Sequence, residues 1–80
     1  MPNAKINYNL IGQRVRAARK KAKMDQQELS AALSVDYDIE LSNKMIHRIE
    51  KGTRPVRDAE LIAIAKILEV SPNWLFSWRK

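Results

Sequence analysis

Eighty residues hold one small domain and exclude a large substrate-enclosing enzyme. Fifteen Lys and Arg against nine Asp and Glu give a net charge of +6, so nucleic acid is the first partner to consider and an anionic membrane surface the second. The absence of cysteine excludes disulfides, zinc–thiolate sites and thiol nucleophiles, and it suits a reducing cytoplasm.

In chain order, residues 1–6 read as a loose arm ahead of one domain over residues 7–80. No apolar run has the length of a signal peptide core or a membrane span. Asn7 or Asn9 is suited to cap a first helix, predicted over residues 10–22 from Ile11, Val15, Ala18 and Ala22 at three- and four-residue steps. Its other faces carry Arg14, Arg16, Lys20 and Lys21, either as solvated charge or as phosphate neighbours. Arg19 lies one turn after Val15, on the border of the apolar stripe, where its stem can be buried. Lys23 falls where a left-handed C-terminal cap belongs, at a cost of about 1 kcal/mol relative to glycine.

Asp25 and Glu28 form a capping box for a second helix over residues 26–33, with Leu29, Ala32 and Leu33 inward. Residues 34–41 read two ways. They are either an extended loop that tucks Ile39 and Leu41 into the core or a short extension of the second helix. Three acids, Asp36, Asp38 and Glu40, alternate with Tyr37, Ile39 and Leu41. Ser42 caps a third helix over residues 43–51, which Gly52 ends. After a loop over residues 53–57, Asp58 is expected to cap a fourth helix. Its Leu61, Ile62, Ile64, Ala65, Ile67 and Leu68 are apolar around most of the girth, which places it in the middle of the fold. Ser71 and Pro72 open a fifth helix running to about residue 77. Trp74, Leu75, Phe76 and Trp78 read as core and C-terminal lid, with a share in a dimer interface as the second reading. The fold class is all-α, a compact bundle of five short helices containing a helix-turn-helix.

At ~100° per residue, Ile46 and Ile49 of the third helix point one way with Met45 beside them. Lys44, His47, Arg48 and Lys51 take the opposite arc, and Ser42 and Asn43 stand at the start. Such a helix fits the major groove: its floor docks on the protein and its outer face meets bases and phosphates. The plainer reading is a solvated basic face.

Several stretches carry a resemblance. They are Ile11-Gly12 with Arg14, Val15, Arg16 and Arg19; Asp25-Gln26 with Glu28-Leu29; Ile46 with Ile49-Glu50 and Gly52; Arg54-Pro55; and Leu61, Ile64-Ala65, Leu68, Val70-Ser71 and Trp74-Leu75. In order and spacing these resemble the phage-repressor-like helix-turn-helix domains, the Xre or Cro-repressor family, over about residues 8–76. The resemblance implies a lambda-repressor-like fold and a sequence-specific regulator of transcription, usually dimeric, acting on double-stranded DNA. It implies base readout by Ser42, Asn43, Lys44 and Arg48. Gln26 would meet a phosphate or a base edge, with His47, Lys51, Thr53, Arg54 and Arg57 on the DNA backbone. It also implies an internal ion pair between Arg19 and Glu50. The chain departs from the family in a link between the second and third helices longer by about six residues, and in Lys23, where many members have glycine.

The rival of a different class is a protein-binding module of the same fold, antitoxin-like or an adaptor, with the three acids facing a basic partner. A membrane-surface helix is the third reading, and the internal caps argue against it. One histidine without cysteine gives no metal ligand set. No Gly-rich phosphate loop, Cys/His pair or paired carboxylates in an apolar setting point to an enzyme, and no cofactor or small-molecule ligand is expected.

Overall fold

The computed structural model describes residues 8–76, which form five α-helices: α1 (Tyr8–Lys21), α2 (Gln26–Tyr37), α3 (Asn43–Lys51), α4 (Asp58–Leu68) and α5 (Pro72–Phe76). The expected arm over residues 1–6, the Asn7 cap, Trp78 and the end of the fifth helix near residue 77 lie outside the described residues. Asn9 lies within α1, so it is no cap.

Period and burial agree along most of the chain. Ile11, Val15 and Ala18 of α1, Leu29 and Leu33 of α2, Ile46 and Ile49 of α3, Ala63, Ile64, Ala65 and Leu68 of α4 and Leu75 of α5 form one core, with Leu41 added from the link. Helix α1 lies on α3, α2 bridges α3 and α4, and α5 closes against α1 and α4. The crossing of α1 over α3 depends on Gly12. A Cβ there would stand 2.2 Å from the carbonyl oxygen of Ile49 and 2.8 Å from that of Glu50, so only glycine lets the backbones come this close.

Four of the helices end alike. Lys23, Asp38, Gly52 and Glu69 take left-handed backbone at φ of 61°, 56°, 82° and 60°. The next residue's N–H then returns to a carbonyl in the last turn: Met24 to Arg19 at 3.1 Å, Ile39 to Leu33 at 3.0 Å, Thr53 to Arg48 at 3.0 Å and Val70 to Ala65 at 3.0 Å. This is the Schellman closure. Met24, Ile39 and Val70 then pack against the core, the apolar contact that accompanies the motif.

The structure changes several expectations. Both readings of residues 34–41 hold in part: α2 extends to Tyr37, and the non-helical residues that follow tuck Ile39 and Leu41 into the core. The residual link is short, and Ser30 ties it down by donating to the Leu41 carbonyl at 2.6 Å. Ala22 lies past the end of α1 and is exposed rather than core. Asp58 is the first residue of α4, and Arg57 is its N-cap, with Glu60 accepting from the Arg57 N–H at 3.0 Å. A carboxylate three residues into a helix reaches back to the cap N–H, which is why the start falls one residue early. Ile62 is 48% exposed and Trp74 is 41% exposed, so neither α4 nor α5 is buried all round. Trp74 lies under the Arg14 guanidinium, 5.2 Å from ring centroid to Cζ, and Arg14 also donates to the Trp74 carbonyl.

Candidate nucleic-acid interface

Helix α3 is positioned by its two ends and by one charged knot. Ser42 caps it, accepting from the Met45 N–H at 3.2 Å, and Gly52 closes it with N–H to the Ile49 carbonyl at 3.0 Å. Between them Ile46 and Ile49 are each 1% exposed, while Asn43, Lys44, His47, Arg48 and Lys51 face solvent. Apolar and polar residues on opposite faces of nine residues leave the cations no protein surface to lie on, so the face is open to an anion.

The knot is Glu50. Arg19 donates to it twice, Nε to Oε2 at 2.7 Å and Nη2 to Oε1 at 3.1 Å, and Gln26 donates its amide to Oε1 at 3.1 Å. The remaining Arg19 Nη1 donates to the Met24 carbonyl at 2.8 Å. The side chains of Arg19 and Glu50 are 10% and 3% exposed. Hydrogen bonding to Glu50 holds the Arg19 guanidinium above its ordinary range against the cost of burial. The pair therefore locks α3 to α1 and, through Gln26, to the first residue of α2. Among the described residues no buried side-chain nitrogen or oxygen lacks a partner.

The other expected contacts fall into two groups. Ser42, Asn43, Lys44, His47, Arg48, Lys51 and Arg57 are all exposed. Gln26, Thr53 and Arg54 are each committed within the protein. Gln26 holds Glu50, which orients its amide and leaves its carbonyl oxygen as an acceptor. Thr53 donates its hydroxyl to the Arg48 carbonyl at 3.2 Å. Arg54 is pulled back into the protein: Nη1 meets Glu60 Oε1 at 3.0 Å and the Pro55 carbonyl at 2.9 Å, and Nη2 meets Glu60 Oε2 at 3.3 Å. Burial raises the Glu60 carboxyl, but hydrogen bonds from Arg54 and the Arg57 N–H outweigh it and hold the group below its ordinary range. Glu60 is not among the residues that the sequence motifs single out. Its signal was the position three residues after Arg57, the spacing of a capping glutamate. Met45, which the helical step sets beside the apolar floor, is 40% exposed.

A helix-turn-helix family model matches residues 15–75. The chain is 34% identical to the repressor protein C2 of Salmonella phage P22 over 88% of its own length and 30% of that protein's. It is 32% identical to the HTH-type transcriptional regulator DicA of Escherichia coli (strain K12) over 81% of its own length and 44% of that protein's. The chain thus spans less than half the length of either relative. Its fold is similar to the crystal structure of the P22 c2 repressor in complex with a synthetic operator, with a TM-score of 0.73 and 32% identity over 85% of this chain and 94% of that one. The buried Arg19–Glu50 knot, the exposed basic face of α3 and these likenesses lead to one conclusion: the chain belongs to the phage-repressor-like branch of the helix-turn-helix family.

Proposed function

We propose that this chain is a sequence-specific, double-stranded DNA-binding regulator of transcription, acting as a homodimer on a two-fold operator, with α3 in the major groove. The observation that carries the reading is the exposed polar face of α3, fixed from behind by Glu50, in a fold like that of a repressor solved on its operator. Lys44 and Arg48 present donors suited to guanine O6 and N7, and Asn43 presents the amide suited to adenine N6 and N7. Ser42 keeps its O–H for a base edge or phosphate while its oxygen caps the helix. Lys51 and Arg57 neutralise backbone charge, His47 offers a ring N–H to a phosphate oxygen, and affinity follows counterion release at phosphates. Gln26 offers its carbonyl side to a base amino group, and Thr53 and Arg54 fix the loop that lies along the backbone. Two recognition helices in successive major grooves stand ~34 Å apart. Among the described residues no helix is long and apolar enough to cross a membrane.

A protein-binding module of the same fold is the second reading, favoured by Val35, 81% exposed, beside exposed Asp36 and Asp38. Selection of bound duplexes from a random pool, with binding followed against salt, separates the two. A DNA reader returns a symmetric site and an affinity that falls steeply with salt. A chain that shows no duplex preference and no salt-dependent binding is not one.

A further inference from the structure

One large apolar side chain on α3 faces outward. Met45 is 40% exposed, while Ile46 and Ile49 are each 1% exposed. It is the third residue of α3, and its N–H is held by Ser42 Oγ at 3.2 Å, so its place in the first turn is fixed. At ~100° per residue it stands about 60° round from Arg48, at the edge of the reading face. Arg48, the exposed residue nearest it round the helix, and Lys44 before it carry charged groups suited to base edges and phosphates. A thioether serves neither purpose. The major groove offers hydrogen-bonding edges on every base pair and one apolar group, the thymine 5-methyl. An unbranched, polarizable side chain adapts to such a target.

We propose that Met45 is a specificity-determining residue that reads a thymine 5-methyl group. This rests on the DNA-reading function above and adds the chemistry of one recognised base. The test takes the most strongly recovered duplex from the random pool and replaces each thymine in turn by deoxyuridine, which removes the methyl group and keeps the O4 acceptor. At one or more positions the wild type should bind about fourfold more weakly, the equivalent of one buried methyl group. Met45→Ala and Met45→Gln should bind the thymine and deoxyuridine forms of that position equally. Both should still unfold cooperatively, and Met45→Gln, which keeps the length of a side chain that is 40% exposed, should melt within about 4 °C of the wild type. A wild type indifferent to every replacement, or variants that still discriminate at each sensitive position, overturns the role of Met45 and leaves DNA binding standing. If no preferred duplex is recovered at all, the DNA reading fails and this inference fails with it.

Discussion

Glu50 shows how much a single buried charge decides here. An exposed ion pair contributes ~0–1 kcal/mol, but this one is desolvated and its two oxygens accept three hydrogen bonds. Removing one partner strands the other in the interior, at roughly 3–5 kcal/mol. Glu50→Ala and Arg19→Ala should each lower the melting temperature by more than about 12 °C. Both should lose DNA binding as α3 comes away from α1. Thermal unfolding followed by circular dichroism measures this, and singles that melt like the wild type would rule out a structural role for the pair. Replacement of both by well-packed apolar residues should recover part of the loss. Glu60 makes a second, pH-dependent case. Its folded carboxyl titrates below the ordinary value of 4.5, so its contribution is complete above that pH and disappears as pH falls through the lowered folded value. The wild type should therefore lose stability on acidification below about pH 4.5. Glu60→Gln should be less stable at pH 7 and flatter on the acid side, as measured by melting temperature against pH. The Arg19–Glu50 pairing followed from family resemblance together with the border position of Arg19 in its helix. The third member, Gln26, reads as an outward contact in the sequence, because a sequence does not show that a surface amide bends back to a buried carboxylate.

At the scale of elements, the ends of the helices were harder to read than their faces. Ile46, Ile49 and the caps Ser42 and Gly52 mark α3 to within a residue, ending at Glu50 or Lys51, and its observed span is Asn43–Lys51. The end of α2 was open because Asp38, not glycine, takes the left-handed turn. A cue was present nonetheless. Lys23, Asp38 and Glu69 are each followed by an apolar residue, Met24, Ile39 and Val70, that returns to the core. That pairing, rather than glycine alone, marks helix ends in this chain. The left-handed residues differ in cost. Lysine pays the full Cβ crowding, whereas aspartate tolerates this region through its short polar side chain. Lys23→Gly should therefore stabilise by about 0.5 kcal/mol after the added unfolded-state entropy is set against the relief, a rise of roughly 2–4 °C. Asp38→Gly should change the melting temperature by less than half as much. Equal shifts in the two variants would contradict this account of the caps.

For the molecule as a whole, the charge balance of +6 is not spread evenly. The face of α3 and the loop after Gly52 are basic, while the exposed acids Asp36, Asp38 and Glu40 lie along the end of α2 and the link to α3. We expect these acids to stand off the DNA when α3 enters the groove, so that screening over a Debye length of about 8 Å near physiological salt makes them minor. The triple variant Asp36→Asn, Asp38→Asn, Glu40→Gln should change random-duplex affinity by less than about threefold in a titration at that ionic strength. A gain of tenfold would mean that the link overhangs the duplex. The composition indicates an anionic partner but not which face would meet it; the ~100° step of the third helix picks out that face, and the packing of α1 on α3 through Gly12 leaves it exposed. The division of labour within α3 has an evolutionary corollary. Ile46, Ile49 and Glu50 anchor the helix, while Asn43, Lys44, Met45, His47, Arg48 and Lys51 all point to solvent. Substitutions at the second set should cost little stability, so that under the proposed function operator preference is free to drift, or to be redesigned, without the scaffold crossing its stability threshold.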